Sequence, residues 1–174
     1  SPVPVVLVRP DDDAEPQTSF DHSFETLLIP LDGSDLSEDA LAHGTEFGEL
    51  FDSAYHLTRV VSYPVDIASP YLPHTAQLNQ QIMEDAKKGA GEYLEQHAET
   101  MRRRGLRVTT SVAVDAQAGN GILAEAEAVG ADMVAMSTHG RKGFTRAILG
   151  SAADKVLRGL HVPLLLHRPE ADSD

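Results

Sequence analysis

The sequence predicts an α/β fold in which one parallel sheet carries helices on both faces. Short aliphatic runs, which are typical of buried strands, alternate along the chain with segments whose apolar residues recur at helical spacing. Parallel neighbours need a crossover between them, and crossovers are almost always right-handed, so the alternation places helices on both sides of the sheet. The length of 174 residues fits a single domain with a substantial core.

Four strands and four helices follow directly from these patterns. Aliphatic and β-branched runs predict strands at residues 24–31, 55–61, 108–114 and 131–136. Helical spacing predicts helices from residue 35 onward, at 80–104, at 118–129 and from 152 to 159. Residues 62–79 contain several prolines and are predicted as a long irregular loop, either a lid over a ligand or a segment without function.

Individual residues predict how two of the helices begin, end and pack. Asp35 and Glu38 predict a capping box at the start of the first helix. The buried face of that helix is predicted to carry Leu36, Ala40, Phe47 and Phe51. The helix at 80–104 is predicted to end in a basic turn followed by Gly105, and to bury Ile82, Ala86, Tyr93, His97 and Met101.

Composition excludes several classes of function. The chain has 27 acidic and 14 basic residues, a net charge of −13, which argues against a general nucleic-acid-binding surface. It has no cysteine, which excludes disulfides, thiolate metal sites and cysteine catalysis. No apolar run is long enough to cross a bilayer. We therefore expect a cytoplasmic protein with neither nucleic acid nor membrane as a partner.

Residues 136–151 carry the pattern of an anion-binding loop. A strand is followed by small and basic residues and then by a helix start, where unpaired backbone N–H groups and the helix dipole favour negative charge. Arg141, Lys142 and Arg146 reverse the sign of the charge locally. The alternative interpretation is that Gly140 and Gly143 only make the turn, while Gly150 and Ser151 begin and cap the helix.

The glycine spacing of this loop resembles that of the universal stress proteins. In their nucleotide loop a glycine is followed by two residues, a glycine, nine residues, and then a glycine with serine or threonine. Here Gly140, nine residues and Gly150-Ser151 match, while Ser137 stands at the first glycine. The segment 28–34 resembles the family's first strand and the loop after it, and 162–169 resembles its last strand. Together the resemblance covers about residues 24 to 169.

The resemblance implies an open, doubly wound sheet of five parallel strands in the order 3-2-1-4-5. The order reverses between strands 1 and 4, and a ligand crevice is expected there. Its expected occupant is an adenine nucleotide, ATP or ADP, with or without Mg²⁺. The residues implied to hold it are Pro30, Asp32, Val60, Met136, Ser137, His139, Gly140, Arg141, Gly143, Gly150 and Ser151.

Two of these residues have simpler interpretations as well. Asp32 is implied to lie beside the base and ribose, or to act through Mg²⁺, but an aspartate at this position is also a common turn former. Val60 is implied to place its backbone near the base, and its side chain also suits an ordinary core position. The serine at position 137 either crowds the nucleotide or donates a hydrogen bond to it.

Three functions remain open at this point. The first is a stress-response module that binds an adenine nucleotide and acts as a regulatory switch. The second is a non-binding dimerisation module, as in relatives whose loop glycines are replaced. The third is an enzyme of the wider adenine-nucleotide α hydrolase-like group. The chain has no P-loop lysine motif and no recognisable catalytic set among its eight histidines, so at most slow ATP hydrolysis is expected.

The first ten residues resemble the end of the chain. Residues 3–10 and 162–169 both read as Val-Pro, a short aliphatic run and Arg-Pro. We expect residues 3–8 to form an edge strand antiparallel to 162–167, and segment 1–10 to be either the last strand of a preceding similar domain or a chance β-prone leader. The remaining predicted segments are an acidic linker at 11–23, the universal stress protein domain at 24–170 and a tail at 171–174.

The resemblance also implies how such a domain assembles. Family members pair through their last strands. The corresponding strand of this chain spans Val162 to His167. The pairing is expected either in a homodimer or between tandem domains of one polypeptide.

Overall fold

The computed structural model of the chain describes residues 4–8, 23–62, 75–138 and 150–167. Six strands lie in these residues: β1 (Val5–Leu7), β2 (Thr26–Pro30), β3 (Ala54–Val61), β4 (Val108–Val114), β5 (Met133–Ser137) and β6 (Leu164–His167). Four helices lie between them: α1 (Asp35–Glu49), α2 (Thr75–Arg103), α3 (Ala118–Ala128) and α4 (Ser151–Gly159).

The strands form one sheet in the order β1-β6-β5-β2-β3-β4. Strands β2 to β6 are all parallel to one another, and the edge strand β1 is antiparallel to β6. The predicted doubly wound sheet is confirmed, because β4-β3-β2-β5-β6 is the order 3-2-1-4-5 of the five parallel strands. The antiparallel edge strand expected from residues 3–8 is confirmed as β1.

Two hydrophobic layers cover the two faces of the sheet. Alternate residues of a strand point to opposite faces, so neighbours such as Leu27 and Leu28 are buried in different layers. The layer containing α1 and α2 includes Leu27, Ile29, Leu57, Leu94 and Leu165. The layer containing α3 and α4 includes Leu28, Ile122, Val134, Val156 and Leu164.

Helix α1 packs on the sheet through glycines. A Cβ atom at Gly44 would lie 2.9 Å from the Cβ of Ala135, and one at Gly48 would lie 2.6 Å from the hydroxyl of Tyr55. The predicted buried face is therefore only partly right: Ala40 is buried, but Phe51 is exposed. The glycine face allows the closer backbone approach, and the buried positions are Ser37, Ala40, Leu41, Gly44, Thr45 and Gly48.

Helix α2 differs from its prediction in its start and its buried face. It begins at Thr75, five residues before the predicted start. Met101 is buried as predicted, but Ile82 and Ala86 are exposed, and the rest of the buried stripe lies next to the predicted one, at Met83, Ala90, Leu94 and Ala98. This stripe is the more apolar of the two, which explains why it faces the sheet. The predicted stop is confirmed by Gly105, whose φ of 86° is left-handed.

None of the described helices combines the length and apolarity needed to cross a membrane.

Candidate functional site

A crevice opens between β2 and β5, where the strand order reverses. The two strands pair only at Leu27 with Met133 and at Leu28 with Val134. Both continue further, to Pro30 in β2 and to Ser137 in β5, so their carboxyl ends separate. In open α/β sheets ligands bind at this kind of reversal, outside the carboxyl ends of the strands.

Asp32 lies on the β2 side of the crevice and organises the turn into α1. Its Oδ1 atom accepts hydrogen bonds from the Ser34 backbone N–H at 3.0 Å and from the Ser34 hydroxyl at 2.6 Å. The Ser34 oxygen in turn accepts from the N–H of Ser37 at 3.3 Å and caps the helix. The turn-forming role of Asp32 is therefore present in the structure.

The predicted capping box of Asp35 and Glu38 is wrong. Ser34 is the N-cap residue, and Asp35 is the first residue of the helix. The Ser34 hydroxyl oxygen accepts from the N–H of Ser37, three residues later, so the side-chain cap is made one residue earlier than the predicted box. Both acids remain in the first turn, where they suit the positive end of the helix dipole.

Arg59 is a residue of the crevice rim that the sequence analysis did not identify. Its guanidinium nitrogens lie 3.3 Å from the position a Cβ would take on Gly33, which has a left-handed φ of 83°. The guanidinium carbon lies 4.9 Å from the ring centre of Tyr93, a cation–π distance. The feature of the sequence that could have pointed to Arg59 is its position as the one cationic residue in the otherwise apolar end of β3.

Tyr93 joins this rim to α1. Its hydroxyl donates to the Glu38 carboxylate at 3.1 Å. Burial, followed by the hydrogen bond to Glu38, raises the pKa of Tyr93 to about 12. The tyrosine is therefore neutral at physiological pH and holds Arg59 next to the Asp32 turn through its ring.

Val60 presents its backbone and its side chain to different environments. On the β2 side, the last residue to bond this strand is Leu31, directly after β2, whose N–H donates to the Thr58 carbonyl at 2.8 Å. Strand geometry repeats every two residues, so the N–H and C=O of Val60 point to the same side as those of Thr58, beyond the end of β2. Its side chain packs against α3, 2.8 Å from the position of a Cβ on Gly121. Both interpretations of Val60 therefore fit.

Met136 and Ser137 end β5 and are both buried. Ala135 faces α1, because its Cβ lies close to Gly44. Ser137 is two residues further along the strand, so its side chain is also directed toward the α1 layer. A serine at this position is thus accommodated within the fold.

The start of α4 lies beside the end of β5. The Gly150 N–H donates to the Thr138 carbonyl at 2.8 Å, and the Thr138 N–H donates to the His167 carbonyl at 3.0 Å. Gly150 is the N-cap residue, and no described side chain caps α4, in contrast to α1. The first N–H groups of α4, from Ser151 onward, thus lie at the end of the helix that favours an anion.

Other predicted residues fall outside the described parts of the chain. These are His139, Gly140, Arg141 and Gly143 of the loop, together with Lys142 and Arg146. Residues 63–74 of the irregular loop predicted at 62–79 fall there as well, whereas residues 75–79 belong to α2.

A pair of histidines, one on α1 and one on β6, lies at the end of β6. The rings of His43 and His167 are 4.3 Å apart between their centres. His167 is only 5% exposed, and its Nδ1 atom has no hydrogen-bond partner among the described residues. Burial, and then His43, lower the pKa of His167, while Asp39 acts in the opposite sense. Across the described ranges, no group of three or more His, Asp or Glu residues is arranged to hold a metal ion.

Comparison with known proteins places these features in a family. The sequence model of the universal stress protein family matches residues 23–168. Universal stress protein MJ0531 of Methanocaldococcus jannaschii is 29% identical over 144 residues, which cover 82% of this chain and 81% of that protein.

Solved structures share the fold. Protein MJ0577 superposes with a TM-score of 0.74 at 21% identity, over 86% of this chain and 99% of that one. A universal stress protein in complex with cAMP superposes with a TM-score of 0.59 at 17% identity, over 87% of this chain and all of that one, 100%. The match of the family model over most of the chain, together with this shared fold, shows that the chain belongs to the universal stress protein family.

Proposed function

We propose that the chain binds an adenine nucleotide, ATP or ADP, in the crevice between β2 and β5 and acts as a regulatory switch through its occupancy. The observation that carries the proposal is the α4 N-terminus, which no side chain of the described residues caps and which lies beside the end of β5 where that strand has separated from β2. Phosphate groups suit the free N–H groups and the dipole at such a helix end.

The proposed phosphate site combines backbone and side-chain donors. The N–H groups of the first α4 turn and the Ser151 hydroxyl donate to phosphate oxygens. The family resemblance adds the loop residues His139, Gly140, Arg141 and Gly143. Their glycines allow close backbone approach, and the arginine offsets phosphate charge in a chain that is otherwise strongly acidic.

The proposed base and ribose site lies along the ends of β2 and β3. Adenine presents an N–H donor beside a ring-nitrogen acceptor, and the C=O and N–H of Val60 complement that pair. Asp32 accepts from a ribose hydroxyl, and Pro30 and Met136 border the crevice from β2 and β5. The relative solved with cAMP supports the proposal, since that protein holds an adenine nucleotide on the same fold.

Mg²⁺ has no three-residue site in the described part of the chain. In this proposal a magnesium ion arrives on the nucleotide phosphates, with Asp32 as the carboxylate of the crevice that faces it. Mg²⁺ prefers to keep several waters and to bind through few protein ligands, so this arrangement suits its chemistry.

The competing function is a dimerisation module that binds no nucleotide. Ser137, in place of the family's first glycine, is the feature that favours it. The direction of the Ser137 side chain toward α1 weakens this argument, because the hydroxyl then lies in the hydrophobic layer that contains α1 and not in the crevice. Slow ATP hydrolysis is the third function, and release of inorganic phosphate from bound ATP measures it.

The decisive experiment compares two substitutions of Gly150, by aspartate and by asparagine, whose side chains have nearly the same shape. The purified protein is denatured and assayed for released nucleotide, and ATP and ADP binding is measured calorimetrically with Mg²⁺ and with EDTA. Gly150 has an extended backbone that L residues adopt, with φ −62° and ψ 152°. In Gly150→Asp a carboxylate caps α4 and repels phosphate, whereas Gly150→Asn caps it without a charge.

We expect Gly150→Asp to lower nucleotide affinity about tenfold or more, which corresponds to about 1.4 kcal/mol or more. Gly150→Asn should lose less affinity, and both variants should be as stable as the wild type, since Asp and Asn are better caps than Gly by a few tenths of a kcal/mol. Unchanged affinity in Gly150→Asp would place the phosphates elsewhere. A wild-type protein that carries no nucleotide and binds neither ATP nor ADP would leave the dimerisation module as the function.

A further inference from the structure

A cluster of polar side chains lies between the sheet and α3, on the face opposite to α1 and α2. Its members, which we call the β3–β4–α3 cluster, are His56 and Thr58 of β3, Thr109 and Ser111 of β4, and Glu125 of α3. In the parallel pairing of the two strands His56 is the partner of Thr109, and Thr58 is the partner of Ser111. Alternate residues of a strand share a face, so all four strand side chains point toward α3.

Three atoms of the cluster converge on one point. The Nε2 atom of His56 lies 2.9 Å from the Oγ atom of Ser111 and 3.0 Å from the Oε1 atom of Glu125. The Ser111 hydroxyl donates to the same carboxylate oxygen at 2.6 Å. Ligand atoms that lie about 2.1 Å from an ion and at right angles to each other are about 3 Å apart, so this triangle has nearly the size of one face of a six-coordinate metal site.

The other ring nitrogen of His56 already has a partner. Its Nδ1 atom lies 2.8 Å from the Oγ1 atom of Thr109, and the Thr109 hydroxyl donates to the Tyr55 carbonyl at 3.5 Å. An N–H at Nδ1 therefore finds an acceptor, which leaves the lone pair of Nε2 for a metal ion. Histidine ligands of metals are usually oriented in this way, by a hydrogen bond from the ring nitrogen that does not bind the ion.

The cluster is largely buried but open to solvent on one side. The side chains of His56 and Glu125 are 10% and 19% exposed, and Thr109 beside them is exposed. The strand that carries His56 is paired on both sides, with β2 and with β4, so the position of the ring is fixed before any ligand arrives. Burying a carboxylate among neutral polar groups costs desolvation free energy, which a bound cation offsets.

We propose that the β3–β4–α3 cluster binds a divalent transition metal ion of the Zn²⁺ and Co²⁺ class. The Nε2 atom of His56 and the carboxylate of Glu125 are its two strong ligands, the Ser111 hydroxyl is the third, and water takes the remaining positions. Imidazole as a ligand favours these ions over Mg²⁺, which prefers oxygen ligands alone. In the metal-free chain a hydrogen on Nε2 takes the place of the ion and holds His56 to Glu125.

The strength of this site follows from its ligand set. No third His, Asp or Glu residue among those that the structure describes completes it. We therefore expect weaker binding than in structural zinc sites, which use four strong ligands. The proposal does not depend on nucleotide binding, since the cluster lies on the α3 face of β3 and β4 and not at the β2–β5 crevice.

Titration of the untagged, metal-free full chain with Zn²⁺ tests the proposal. Calorimetry should show one ion per chain, and the visible absorption of Co²⁺ should report a nitrogen ligand. Glu125→Gln keeps the shape of the side chain and should weaken Zn²⁺ binding more than about 100-fold, while Thr109→Val removes only the partner of Nδ1 and should weaken it about 10–100-fold. The matched control is His43→Gln, which alters the other pair of histidines and should leave the affinity unchanged.

Thermal melts followed by circular dichroism establish that each variant is folded and give a second measurement. Zn²⁺ should raise the melting temperature of the wild type and of His43→Gln, but not that of Glu125→Gln. Three outcomes would overturn the proposal: a folded wild type that binds no Zn²⁺ up to about 1 mM, an affinity that Glu125→Gln leaves unchanged, or binding that is lost in His43→Gln instead.

Discussion

Ser137 is the residue at which this chain departs from the family's glycine pattern, and its side chain is buried on the α1 side of the sheet. Glycine in the interior of a strand has more freedom to lose on folding and no side chain to pack. The departure therefore contributes to the stability of β5.

Ser137→Gly should accordingly leave ADP affinity within about threefold of the wild type while lowering the free energy of unfolding by about 1 kcal/mol. Calorimetry and urea denaturation measure the two effects separately. A large gain in affinity would show instead that the serine obstructs the nucleotide.

His167 gives the second prediction at this scale, because its ring is buried with an unpartnered Nδ1 atom. Burial, and then the adjacent His43, lower the pKa of His167 below its ordinary 6.5, with Asp39 acting in the opposite sense. Below about pH 6.5 the unfolded chain binds the proton more readily than the folded one. The stabilisation is therefore complete above that pH and is lost as the pH falls through the folded pKa.

His167→Leu should reduce the dependence of stability on pH below about 6.5, where one proton contributes at most about 1.4 kcal/mol per pH unit. At pH 7 the variant should be at least as stable as the wild type, since the buried Nδ1 atom that it removes has no described partner. Urea unfolding of both proteins between pH 5 and 8 measures the difference. If the free energies of unfolding of the two proteins fell in parallel as the pH was lowered, a group other than His167 would be responsible for the loss of stability at acid pH.

At the scale of elements, α1 is the helix whose packing depends most on its small residues. Gly48 lies against the ring of Tyr55, whose hydroxyl donates to the Thr45 carbonyl at 2.9 Å. Burial, together with Glu49, raises the pKa of Tyr55 to about 12, with Arg104 acting in the opposite sense. The ring cannot easily move aside, so the helix has no room for an added methyl group at this position.

Gly48→Ala should lower the free energy of unfolding by about 1–3 kcal/mol, the usual range for an overpacked core. Gly89→Ala is the matched control, since nothing lies within 4 Å of its Cβ position in the middle of α2. There the methyl group should stabilise the protein by about 0.5–1 kcal/mol, because glycine is a poor helix former. If both substitutions changed the free energy of unfolding in the same direction, the close approach of α1 to Tyr55 would be contradicted.

The strands could be predicted from sequence to within two residues, because each is a short aliphatic run bounded by polar or turn-forming residues. The buried faces of α1 and α2 could not, since α2 carries two apolar stripes one residue apart and α1 buries small residues rather than its most apolar ones. Gly44 and Gly48 decide the choice in α1, and a glycine contributes nothing to a hydrophobic pattern. The predicted N-cap of α1, Asp35, is one residue too late, because Ser34 and Asp35 are both good cap formers.

The candidate site shows the same division. The places of Asp32, Val60 and Gly150 at strand and helix ends could be predicted from the sequence, and their roles in a nucleotide site stay predictions. Arg59 could not, because its place against Gly33 and Tyr93 depends on contacts between three elements that are distant in sequence. The four predicted residues between 139 and 143 remain predictions, as they lie outside the described residues.

At the scale of the whole molecule, the excess of negative charge is the dominant electrostatic feature. The chain carries a net charge of −13, and α1 alone contributes Asp35, Glu38, Asp39, Glu46 and Glu49 without a lysine or arginine. Such self-repulsion opposes the compact state. It also repels a polyanionic ligand, so the local cations of the proposed phosphate site must act at short range.

Glu46→Lys tests this repulsion in the last turn of α1, where the structure places no basic residue. The substitution changes the net charge by two units and puts a cation at the negative end of the helix dipole, so it should stabilise the protein by about 0.3–1 kcal/mol at low ionic strength. His43 lies 3.8 Å from Glu46, but both side chains are substantially exposed and their interaction contributes little. Urea unfolding in about 0.1 M and about 1 M NaCl measures the effect, since the screening length falls from about 10 Å to about 3 Å between them. The gain should shrink at the higher salt as the wild type itself becomes more stable. A gain that is independent of salt would assign it to helix propensity or packing and would show that the charge of the chain does not limit its stability.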